Sequence, residues 1–103
     1  MAIETTIFDA SEYLGSPESQ AELLADAFQT GDAAYITHAF GVVAKARGMT
    51  SVAREAGVTR EALYKALSEK GDPKLSTLLG VAKALGLTLT VIPDNHAEAR
   101  LSA

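Results

Sequence analysis

The chain has 103 residues, 48% of them hydrophobic, with no cysteine and a formal net charge of −4 at pH 7. That length holds one domain with a modest core and is too short for two. The lack of cysteine excludes a disulfide framework and a thiolate-held metal, no apolar run is long enough to span a bilayer, and no basic region followed by an apolar stretch opens the chain; the expectation is a cytoplasmic protein without a secretory signal.

In chain order, Thr5–Phe8 (TTIF) is short, β-branched and aromatic, and is expected as a strand. Ser16-Pro17-Glu18 is a helix start: a hydroxyl cap, proline at the first helical position and an acid in the first turn. This helix is expected to run to about Thr30 and end at Gly31, with Leu23, Leu24, Ala27 and Phe28 as its buried stripe. Asp32 then caps a second helix that runs through Arg47, with Ile36, Ala39, Phe40 and Val43 inward. Lys45 and Arg47 suit the negative C-terminal end of its dipole, or a phosphate, and Gly48 stops it.

Met49–Ser68, MTSVAREAGVTREALYKALS, is the stretch around which the rest is organised. Two helical segments, Thr50–Ala56 and Thr59–Leu67, meet at Gly57, which can adopt the positive φ of a tight turn, while Ala53 is small enough for the helices to touch. Val52, Ala56, Val58, Leu63 and Ala66 fall on the inner faces, and Arg54, Glu55, Arg60, Glu61, Tyr64 and Lys65 point outward at helical spacing. Thr59 is placed to cap the second segment. The pattern is that of a helix-turn-helix, whose second helix enters the DNA major groove while the first sits over the backbone. An ordinary helical hairpin with a glycine turn is the plainer reading, but the small residue, the glycine and the apolar positions all agree with the former. On that geometry Arg60, Glu61, Tyr64 and Lys65 face base edges, with Arg60 the guanine reader because its fork suits O6 and N7. Thr50, Ser51, Arg54, Thr59 and Lys70 are candidate phosphate contacts.

Glu69-Lys70-Gly71-Asp72-Pro73 is a turn by composition, and Asp72 with Pro73 is expected to open another helix. Its apolar residues Leu75, Leu78, Leu79, Ala82 and Leu85 follow the helical period, and Gly86 ends it. Residues 87–92, LTLTVI, then alternate with period two and stop at Pro93, which reads as a strand. Residues 93–103 look like a frayed tail. A lone strand leaves its N–H and C=O groups unpaired, so it requires Thr5–Phe8, the same strand of a second subunit, or an extended segment of another protein. A homodimer with residues 87–92 near its interface is expected, since paired half-sites about 34 Å apart match a two-fold axis.

The charge is divided along the chain. Residues 1–44 carry Glu4, Asp9, Glu12, Glu18, Glu22, Asp26 and Asp32 with no Lys or Arg, a net −7. Residues 45–83 carry Lys45, Arg47, Arg54, Arg60, Lys65, Lys70, Lys74 and Lys83 against Glu55, Glu61, Glu69 and Asp72, a net +4. The positive segment coincides with the helix-turn-helix, which suggests a polyanion as partner for one region and a basic partner for the other; a solvated acidic surface is the alternative. Glu12, Glu18, Glu22 and Asp26 are the candidate contacts for a basic partner, the last three at i, i+4 spacing on one helix face.

Catalysis is poorly supported. His38 lies mid-helix and His96 in the tail, with no cysteine or second histidine at metal-ligand spacing, and no nucleophile–base pair or glycine-rich phosphate loop is present. Neither an enzyme nor a cofactor is expected.

Through SVAREAGVTREALYKAL and PKLSTLLGVAKALGL, the segment from Asp32 to Leu87 resembles the λ-repressor/Cro-like helix-turn-helix domain. Through IFDASEYL and ITHAFGVVAKARGMT as well, nearly the whole chain resembles the addiction-module antidote family, small antitoxins of bacterial type II toxin–antitoxin modules. The expected fold is mostly α: an acidic N-terminal segment with an extra helix (1–31), a Cro-like core of residues 32–86 containing the 49–68 motif, for about five helices in all, and a short C-terminal β-strand (87–92); the Ser16–Thr30 helix and the final strand, where a fifth helix is common, are departures from a usual Cro-like domain. The resemblance implies two activities, neutralising a small, basic toxin of the RelE/ParE superfamily by occlusion and repressing the module's own promoter. A stand-alone Cro-like repressor, and an interaction module that has lost DNA binding, are the alternatives.

Overall fold

Ser16 opens the first helix as the residue types anticipate: in the computed structural model, which describes residues 15–94, its Oγ accepts from Ser19 N at 3.2 Å and Pro17 occupies the first turn. Five helices follow among the described residues: α1 Pro17–Thr30, α2 Ala33–Arg47, α3 Met49–Ala56, α4 Arg60–Ala66 and α5 Leu75–Ala84. None is long and apolar enough to cross a membrane. Gly31 closes α1 at φ +68, and Asp32 Oδ1 accepts from Ala34 N at 3.0 Å to cap α2. Gly48 serves both as the end of α2 and as the residue before α3, so the chain turns there without a linker.

The core is assembled from all five elements. Phe40 and Val43 of α2, Val52 of α3, Leu63 of α4 and Val81 of α5 are fully buried, with Leu85 just past the end of α5. α5 packs most extensively on α3, α1 packs on α2, and α4 is held mainly through α3. Where α5 crosses α3, a Cβ added at Gly80 would stand 3.2 Å from the Cα and Cβ of Ala56. Only glycine against alanine allows that approach without displacement.

Four expectations are corrected. Phe28 is 45% exposed and not part of the buried stripe, its ring meeting Phe40 edge-on with centroids 6.0 Å apart; Leu24 and Ala27 are buried as expected, Leu23 partly so, and Gln20 joins them on the inward face of α1. Asp72 and Pro73 do not start a helix: residues 71–74 are irregular, Lys74 is the cap residue of α5, and no side chain caps it. On α5, Leu75 and Leu79 are exposed while Val81, Ala82 and Ala84 are buried, because the face against α3 is rotated from the leucine stripe toward the small residues that permit close contact. Finally, residues 87–92 form no strand among the described residues. A ladder needs a second segment, and the expected same-chain partner, Thr5–Phe8, lies outside the described residues. The alternation is nevertheless partly kept. Leu87 and Leu89 pack against the core and Thr88 and Thr90 face solvent, but Val91 and Ile92 are exposed.

Candidate nucleic-acid interface

α3 and α4 each bury a single inward face and turn polar side chains to solvent on the other. On α3, Met49, Val52 and Ala53 are buried, which turns Thr50, Ser51 and Arg54 to solvent. On α4, Leu63 is buried and Ala66 half-buried, which turns Arg60, Glu61, Tyr64 and Lys65 outward. The three-residue turn between them is set by Gly57 at φ +76, whose N–H donates to Arg54 O at 3.2 Å, and by Val58 N donating to Ala53 O at 3.0 Å. The helix starts one residue earlier than expected in α3 and one later in α4, since Thr59 is the cap: its Oγ1 accepts from Ala62 N at 3.0 Å. One lone pair of the Thr59 oxygen is thus engaged, and toward a phosphate it still offers its hydroxyl hydrogen.

The sharpest feature of this surface is a pair one helical turn apart. Arg60 Nη2 donates to Tyr64 Oη at 3.4 Å, and the guanidinium carbon lies 5.4 Å from the Tyr64 ring centroid. The Tyr64 hydroxyl, and then the charge of Glu61, hold the Arg60 pKa above its ordinary value despite full exposure. Of the two neighbours chemically able to hold the guanidinium, Glu61 and Tyr64, it is Tyr64 that does so, because neighbours at i, i+1 diverge on a helix whereas i, i+4 residues stack. At the start of α3 no side chain caps the first N–H groups, and Lys45 and Arg47 are exposed in the last turn of α2 directly before it. Lys70 is exposed in the turn after α4.

On α1, Glu18, Glu22 and Asp26 are all exposed, opposite the inward Gln20, Leu24 and Ala27. Glu12 lies outside the described residues. His38 is exposed on α2, and no group of three or more His, Cys, Asp or Glu among the described residues is placed to hold a metal ion.

The model of a family described as "Probable addiction module antidote protein" matches residues 4–93. The chain belongs to this family. An uncharacterised protein of Haemophilus influenzae (strain ATCC 51907 / DSM 11121 / KW20 / Rd) is 43% identical to this chain over 84 residues, which is 82% of this chain and 87% of that protein. No solved structure matches. Family membership carries an antidote role and hence a toxin as partner in general. It covers both the acidic face of α1 and the whole of α3–α4.

Proposed function

We propose that this chain is the DNA-binding antitoxin of a bacterial type II toxin–antitoxin module, which neutralises a small, basic toxin of the RelE/ParE superfamily by direct binding and represses its own operon. The observation that carries the DNA half is the exposure of Arg60, Glu61, Tyr64 and Lys65 together on α4, inside the segment that holds the chain's net positive charge. In this reading α3, the Gly57 turn and α4 are a helix-turn-helix of λ-repressor/Cro-like type within residues 32–86, α4 lies in the major groove, and Thr50, Ser51, Arg54, Thr59 and Lys70 meet phosphates. Residues 1–31 form the acidic segment, with Glu12, Glu18, Glu22 and Asp26 toward the toxin, and residues 87–92 lie at the interface of a homodimer. Toxin neutralisation needs no chemistry, only a covered active site. Both the acidic face and the basic one steer their partners by charge, on a scale of about one Debye length.

The test is titration of a fluorescent duplex from upstream of the gene with purified protein at increasing salt. Phosphate neutralisation requires log K to fall with log salt by about 0.9 per contact. Absent or salt-independent binding overturns the DNA half and leaves a toxin-binding module. The toxin half is tested with the product of an adjacent short reading frame for a basic protein: a stable complex is expected, and no association with it contradicts the antitoxin reading.

A further inference from the structure

We propose that Tyr64 does not read DNA itself but is the positioning residue for Arg60, holding the guanidinium as a preformed fork above α4; this rests on the DNA reading above. An exposed arginine at the start of a helix ordinarily samples many rotamers, and ordering it on binding costs free energy comparable to a good contact. Here two contacts from one neighbouring side chain act on one group. The Tyr64 hydroxyl accepts from Nη2 at 3.4 Å, and the ring lies under the guanidinium carbon at 5.4 Å, within cation–π range. The backbone beneath is fixed as well, because Thr59 caps the helix immediately before Arg60 and Leu63, beside Tyr64, is fully buried. One donor is used on Tyr64; the remaining N–H groups of the planar guanidinium still include a two-donor edge, which is what recognition of guanine O6 and N7 requires. The phenol oxygen accepts from Arg60 and one ring face is turned to the cation, which leaves its hydroxyl hydrogen as the donor it could still offer a base edge; the double-mutant cycle below separates that direct contact from positioning. Specificity at the Arg60 base pair is therefore set jointly, with Arg60 touching the base and Tyr64 setting where Arg60 stands.

The experiment is a double-mutant cycle with a short duplex selected by the wild-type protein from a random-sequence pool, measured for R60A, Y64A, Y64F and the R60A/Y64A pair, against that duplex and its single-base variants. Y64A is expected to weaken binding about 2–5-fold, the scale of an exposed cation–π contact, and to blunt discrimination at the same base pair as R60A. In the R60A background it is expected to have no further effect. Y64F keeps the ring and loses the acceptor, so it is expected to fall between wild type and Y64A. Equal losses from Y64A with and without Arg60 would show that Tyr64 contacts DNA on its own account and would overturn the proposal while leaving the DNA reading intact. If the wild-type protein selects no duplex, both fail together. Circular dichroism melts of each variant guard against lost folding, and a wild-type-like melt is expected for Y64A and Y64F, since both side chains project from an exposed face. An Arg60 Nε–H nuclear resonance whose shift is unmoved by Y64A in the free protein would independently contradict a preformed pair.

Discussion

Thr59 joins the two halves of the proposed DNA-reading unit, and its Oγ1 satisfies one of the free N–H groups of α4 at Ala62. Thr59→Ala should cost about 1 kcal/mol, the usual worth of such a cap, and lower the melting temperature by roughly 4–8 °C in a domain of this size; Thr59→Ser should retain most of it. Gly57 holds φ +76 with open space around the position a Cβ would take, so Gly57→Ala is opposed by backbone strain alone, about 1–2 kcal/mol, readable in urea denaturation. For recognition, Arg60→Ala should cost about 1–3 kcal/mol at one base position, whereas Lys70→Ala should weaken all sequences alike. Uniform losses for both would contradict the division between base and phosphate contacts. The caps and turn glycines were legible from the sequence because each acts through one or two adjacent residues. The Arg60–Tyr64 pair was not, since Glu61 and Tyr64 are both chemically able to hold a guanidinium and only the helix geometry separates them.

At the scale of elements, the site depends on α5 although α5 carries none of it. α4 is held chiefly through α3, and α3 is held by α5 across the Gly80–Ala56 contact. Gly80→Val should therefore overpack the crossing and destabilise the protein by about 1–3 kcal/mol, more than the same change at an exposed helical position. The loss of urea midpoint should bring a matching loss of DNA affinity under conditions where the variant is partly unfolded. Sequence periodicity located α5 and half of its buried face: Leu78, Ala82 and Leu85 pack inward as expected, whereas Leu75 and Leu79 read as core on hydrophobicity but are exposed, and close packing favoured Val81 and Ala84 beside Gly80. Asp72-Pro73 has helix-start chemistry, yet the helix begins two residues later at Leu75, after an irregular stretch in which Gly71 lies against the backbone of Ala66. That approach belongs to the turn that closes α4, and a helix-start motif at Asp72-Pro73 does not contain it. The face of α2, by contrast, was readable, because Ala39, Phe40 and Val43 recur at the period of a helix buried on one side.

The molecule separates its charges along the chain, acidic on α1 and net basic over residues 45–83, and leaves the apolar Val91 and Ile92 93% and 73% exposed. Residues 87–92 alternated in sequence as a strand does, but strand formation depends on a partner and is not a property of the segment alone. If that partner is a second copy, light scattering after size exclusion should find a dimer at tens of micromolar, and V91D/I92D should give a monomer that still folds. A wild-type monomer would overturn the dimer. Leu87 and Leu89 have a different job: truncation after Gly86 uncovers the core they half cover and should cost about 1–3 kcal/mol whether or not the protein dimerises. The measurement that bears most directly on an antitoxin with two charged faces is affinity capture of the tagged protein from its native host, identifying both protein and DNA that come with it. Recovery of a small basic protein together with the fragment upstream of the gene is the expected result. Recovery of neither would contradict the account, DNA alone would reduce it to a plain repressor, and protein alone would make α3–α4 a scaffold.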